Sequence, residues 1–166
     1  MSIGNFTELI EQHGTQVLNT AVRILGDTQK AQDVHQEVFL AIWRRWHKYN
    51  GRTKWKAYLY RVTVRKAIES ARRASRHLAL ARQTDQPVSE DTPCATLQNE
   101  ELQQKLAASL AKLPKRQAEV FILSRIEGLE HEVIAQSLGC SPHTVRVHLH
   151  RAVRRLAREM ADYLAR

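Results

Sequence analysis

The sequence predicts an all-α fold of two small helical domains joined by a flexible linker, the C-terminal domain being a helix-turn-helix. Three observations lead there. Apolar residues recur at helical spacing along most of the chain. Only 6 Gly and 4 Pro occur in 166 residues, too few for the many turns of an all-β fold. Residues 128–158 have the layout of two helices around a tight turn.

The elements follow in order. Phe6, Leu9, Ile10, Val17, Leu18, Ala21, Ile24 and Leu25 form one amphipathic stripe, ended by Gly26. Asp27 or Thr28 caps a second helix running to about Trp46, with Ala31, Val34, Val38 and Ile42 facing inward. Its other side shows Asp33, Gln36, Glu37 and Leu40, with Phe39 and Trp43 at the boundary. Such a mixed polar and aromatic face suits a protein partner. A solvated face with its aromatics folded into the core fits the spacing equally well. A short loop, KYNGRTK at residues 48–54, precedes a helix from about Trp55 to Ser75. That helix interleaves Trp55, Tyr58 and Tyr60 with Arg61, Arg65, Lys66, Arg72 and Arg73, a composition suited to single-stranded nucleic acid. Trp55, Tyr58, Leu59 and Val62 also lie at core spacing, so at least half of them belong inside.

Residues 83–101 hold five acids, no Lys or Arg, and two of the prolines. No helical period starts there before about Ala95, so the stretch reads as a linker. The division is an N-terminal domain at 1–77, a linker at 78–96 and a C-terminal domain at 97–166. In the last of these, Ile134 and Leu138 give one helix an apolar face and Gly139 supplies the turn. Ser141 caps the next helix and Pro142 falls at its first position. Val145, Leu149, Ala152 or Val153, and Leu156 face a core. Thr144, Arg146, Val147, His148, His150, Arg151, Arg154, Arg155 and Arg158 remain outside, the layout of a helix that enters the major groove.

Charge points the same way. The net charge is +9, and residues 44–76 carry twelve Lys or Arg against one acid, Glu69. A polyanionic partner follows, nucleic acid before anionic membrane. No apolar run approaches the length of a membrane span, and the opening MSIGNFTELIEQ lacks the basic start and apolar core of a signal peptide. Cys94 and Cys140 make no disulfide framework, so a cytoplasmic location is expected. Cys140, His143, His148 and His150 lack zinc spacing, and no HExxH pair, phosphate loop or nucleophile elbow is present. The expectation is no metal, no cofactor, no small-molecule substrate and no enzyme active site.

Three stretches together resemble the extracytoplasmic-function (ECF, group 4) sigma factors of bacterial RNA polymerase. They are GDTQKAQDVHQEVFLAIWRRW, WKAYLYRVTVRKAIESARR and LPKRQAEVFILSRIEGLEHEVIAQSLGCSPHTVRVHLHRA, in the family's order and separation. FTELIEQHGTQVL is similar to the family's opening helix. The resemblance implies docking on core RNA polymerase through Asp33, Gln36, Glu37, Phe39 and Trp43. It implies opening of the −10 element, with Asn50, Gly51, Arg52 and Lys54 receiving an unstacked base and Trp55, Tyr58, Arg61 and Arg65 flanking it. It implies reading of the −35 element by Thr144, Arg146, Val147, His150 and Arg151, with Arg154 and Arg155 on phosphates. An anti-sigma factor, often membrane-anchored in the family, is the further implied partner.

Some positions depart from the family pattern. Glu130 stands where Ser or Thr usually caps the first helix of the helix-turn-helix, and His35 replaces an aliphatic residue. Arg65 stands where Asn is common, and Val147 and His148 replace Ser and Arg. These changes imply altered promoter preferences. The alternative readings are a conventional helix-turn-helix regulator acting without replacing a polymerase subunit, and a helical interaction module.

Overall fold

The computed structural model describes residues 5–83 and 94–165. Helix α1 (Phe6–Leu25) begins where the Asn5 side chain accepts the Glu8 N–H at 2.8 Å. It ends at Gly26, whose φ of 63° is open to glycine at little cost. The cap of α2 (Thr28–Trp43) is Asp27, which accepts the Lys30 N–H at 3.0 Å. A single 3₁₀ turn (Trp46–Lys48) and a loop lead to α3 (Trp55–Gln83). Leu9, Val17, Ala21 and Ile24 of α1 meet Ala31, Val34, Val38 and Ile42 of α2 and Leu59, Val64, Ala67 and Ile68 of α3, all buried.

Helix α3 continues two turns past the expected end near Ser75. Its last residues, HLALARQ, bury little (Leu78 and Leu80 are exposed) but are good helix formers with no breaker among them. The apolar period fades there while the backbone propensity persists. Residues 78–83 and 94–96 of the expected linker are therefore helical, and the rest of that stretch lies outside the described residues.

The second half contains α4 (Cys94–Lys112), α5 (Lys115–Phe121) and a π turn (Ile122–Ile126). It continues with α6 (His131–Leu138) and α7 (Pro142–Leu164). Gly139, at φ 67°, makes the sharp turn between α6 and α7. Ala152 is the buried member of the Ala152/Val153 pair; Val153 faces solvent. The two domains pack on each other, α3 lying along α4 and touching α5 and α6, and their buried residues form one continuous core.

Candidate functional site

Helix α7 is capped by Ser141, whose Oγ accepts the Thr144 N–H at 3.1 Å and lies 2.9 Å from the Thr144 hydroxyl. Thr144 is thus part of the cap as well as of the outer face. Val145, Leu149, Ala152 and Leu156 are buried against the rest of the domain. Their burial fixes the rotation of α7 and turns Arg146, His150, Arg151, Arg154 and Arg155 to solvent, with Val147 half-buried. None of these arginines is paired with a carboxylate among the described residues. Arg151, Arg154, Arg155 and Arg158 wall a shallow recess of about 270 Å³ floored by Gln117. His148 is the departure: it is half-buried and its Nδ1 is enclosed without a partner. At the head of α6, Glu130 has extended backbone (φ −63°, ψ 146°) but makes no side-chain cap.

A second cluster surrounds the loop before α3. Asn50 shapes the loop: its side-chain oxygen accepts the Arg52 N–H, and its carbonyl accepts both the N–H and the hydroxyl of Thr53, each at 3.2 Å. Asn50, Gly51, Arg52 and Lys54 are exposed. Behind them the Trp46 and Trp55 rings stack at 5.6 Å with 19° between planes, and Tyr49 sits 5.0 Å from Trp55. Trp55 is nearly buried, so it forms the wall of this site and not its open surface. The Tyr49 and Tyr58 hydroxyls lie 2.6 Å apart, and burial together with this hydrogen bond raises the Tyr49 phenol well above the usual range. A cavity of about 650 Å³ opens in front, lined by Gly51, Arg52, Lys54, Trp55 and Tyr60, with Leu129 and Val133 across the domain boundary. That volume lies within the range of small-ligand sites.

Arg61 and Arg65 of this cluster are turned to the other domain. Arg61 stacks over Tyr58 at 5.4 Å and donates to the Ser137 carbonyl at 2.8 Å. The Arg65 Nε donates at 2.6 Å to Glu119, a carboxylate with a 1% exposed side chain that also accepts from Arg116 at 3.4 Å. Sequence reasoning missed Glu119 and Ser137. A charged residue inside the apolar run AEVFIL was the available signal for a buried ion pair.

The third cluster is the outer face of α2. Asp33 and Gln36 are exposed, and Leu40 and Trp43 are open to solvent at 47% and 57%. Phe39 is only 5% exposed and packs against the Phe6 and His35 rings, so its place on a docking surface is corrected: it is core. Phe6 takes the rim position instead, 4.9 Å from Trp43. Glu37 is tied to Arg73 at 3.1 Å and Lys66 at 3.7 Å. His35 rests against Gly14, which leaves room for its ring, and burial lowers its pKa.

Comparison with known proteins gives this geometry a family. Residues 9–77 match the model of Sigma-70 region 2, and residues 103–156 match that of Sigma-70, region 4. The ECF RNA polymerase sigma factor SigL of Mycobacterium tuberculosis is 32% identical over 150 residues, covering 89% of this chain and 84% of that protein. The chain belongs to the ECF sigma factors. SigE of Mycolicibacterium smegmatis is also 32% identical, over 98% of this chain, which spans 62% of that longer protein. Two solved structures share the fold. One is CnrH in complex with the cytosolic domain of CnrY (TM-score 0.59, 24% identity, 97% of this chain and 92% of that one). The other is the sigma factor RpoE in complex with the anti-sigma factor NepR from Bartonella quintana (TM-score 0.57, 19% identity, 94% and 96%). This ECF sigma factor is a specificity factor of transcription initiation, and the conventional-regulator reading is set aside. No described helix is long and apolar enough to cross a membrane.

Proposed function

We propose that this chain acts in the cytoplasm as a non-catalytic promoter-specificity subunit. Asp33, Gln36 and Trp43, with Leu40 and Phe6, dock on core RNA polymerase. The loop at Asn50, Gly51, Arg52 and Lys54 receives an unstacked −10 base, walled by Trp55 and Tyr58, with Arg61 and Arg65 on the adjoining strand. Arg146, Val147, His150 and Arg151 read the −35 duplex, and Arg154 and Arg155 hold its phosphates. The observation that carries the reading is the rotation of α7. Val145, Leu149, Ala152 and Leu156 lock one face inside, so the unpaired arginines share the other. An anti-sigma factor would compete for the rim of Trp43 and Leu40, as apolar surface this open suits more than one protein partner.

Run-off transcription from a pool of promoter fragments, with core polymerase alone and with this protein added, tests the reading. New start sites sharing a −10/−35 pair are expected. Tight binding of the protein alone to a symmetric duplex, with no new starts, would sink it.

A further inference from the structure

Arg151, Arg154, Arg155 and Arg158 stand three and four residues apart on α7, so they line one edge of that helix. The edge faces α5, and between the two helices lies the recess of about 270 Å³ floored by Gln117. Glu119 of α5 is held by Arg65 and Arg116, and Glu159 of α7 by Lys112. None of the four arginines has a carboxylate partner among the described residues. The recess is walled by cations and holds no acid of its own.

Its floor is unusual. Gln117 is only 7% exposed, and its Oε1 is enclosed without a hydrogen-bond partner, even from the arginines of the wall. An unmet buried amide destabilises a fold, and leucine at this place would avoid that cost. With the oxygen enclosed, the amide N–H₂ is the end that meets an occupant of the recess. Four guanidinium groups and one amide N–H₂ around a single hollow match a group that only accepts, and a phosphate is such a group.

The volume decides what carries that phosphate. Sites for whole small ligands run from roughly 300 to 1,000 Å³, so this recess admits a group protruding from a larger molecule. Duplex DNA, assigned to the adjoining strip of α7, presents its phosphates in that way.

We propose that Gln117 is a neutral phosphate-holding residue, its amide and the arginines above it seating one backbone phosphate of the −35 duplex. The inference rests on the assignment of Arg154 and Arg155 to those phosphates. Arginines on long stems follow a phosphate to several depths, whereas a buried amide meets it at one. Gln117 thus sets how deeply α7 sits in the groove.

The test uses full-length chain carrying Gln117→Leu, with a fluorescent mixed-sequence duplex read by anisotropy across a salt series. Duplex affinity should fall about 5- to 20-fold, the worth of one hydrogen bond to a charged group. The log–log salt slope should match wild type, because a neutral amide releases no counterion. Tm should hold or rise, because an unmet buried group has been removed. In an Arg154→Ala, Arg155→Ala background the same substitution should change affinity less than about twofold, since the shared phosphate is already lost. Wild-type affinity in Gln117→Leu overturns the proposal, as does a full loss that persists in the arginine-free background. A fall in Tm accompanying the affinity loss would make Gln117 a packing residue and overturn it too. If Arg154→Ala and Arg155→Ala themselves leave duplex affinity unchanged, it is the phosphate assignment of α7 that fails. Should Gln117→Leu misfold by circular dichroism, Gln117→Met keeps the unbranched side chain and is judged by the same outcomes.

Discussion

Replacing Arg154 and Arg155 together by Ala probes whether α7 holds the DNA backbone. Four arginines of the exposed stripe, Arg146, Arg151, Arg154 and Arg155, have no carboxylate partner among the described residues and are assigned to DNA, hence about four phosphate contacts if each takes one. Counterion release then gives a log–log salt slope of about −3.6, against about −1.8 for the double variant. Between about 50 and 200 mM salt the wild type should lose roughly 150-fold in duplex affinity, and the variant only roughly 12-fold. Phosphate contacts carry no sequence information, so the loss should be equal on promoter and scrambled duplexes. Fluorescence anisotropy titrations at four salt concentrations measure both quantities. An unchanged slope would mean that Arg154 and Arg155 never reach the backbone. A loss confined to the promoter duplex would make them base readers instead.

Other outcomes follow from the same geometry. Glu130→Ser places a hydroxyl on backbone already extended for capping, and should stabilise the chain by about 1 kcal/mol, or about 3 °C in Tm; calorimetry showing no rise refutes it. Trp43→Ala should weaken core polymerase binding at least about tenfold with little change in Tm, whereas Phe39→Ala, emptying a buried site, should cost about 3–5 kcal/mol. Equal thermal losses in the two variants would undo that division between surface and core. His35 has its pKa lowered by burial, so the unfolded chain takes up the proton first as pH falls. Stability should therefore decline below about pH 6.5, and His35→Leu should shrink that decline in urea midpoints compared at neutral and acid pH.

The caps and turns were legible because each is local. Gly26, Asp27, Gly139, Ser141 and Pro142 state helix ends within a few residues of themselves. The rotation of α7 was legible for the same reason, since a 3.6-residue period fixes which face is apolar. Phe39 was ambiguous because it sits one position past Val38, at the edge of the inward stripe, and only the packing of Phe6 decides its side. The arginine contacts between domains were not legible. They join residues 39 to 104 apart in sequence, and no local pattern reports which arginine meets which carbonyl. Arg65 illustrates the limit: its chemistry announces a cation that binds an anion, but Glu119 and a phosphate satisfy that equally.

The placement of the three tryptophans gives the molecule its own optical reporters. Trp43 stands in solvent on the α2 face, while Trp46 and Trp55 are stacked beneath the α3 loop. Emission from Trp43 should lie to the red and shift blue when a protein covers it. A nucleobase entering beside Trp55 should quench the stacked pair without moving that band. One unlabelled protein would then show the arrival of polymerase as a colour change and the capture of a base as a loss of intensity.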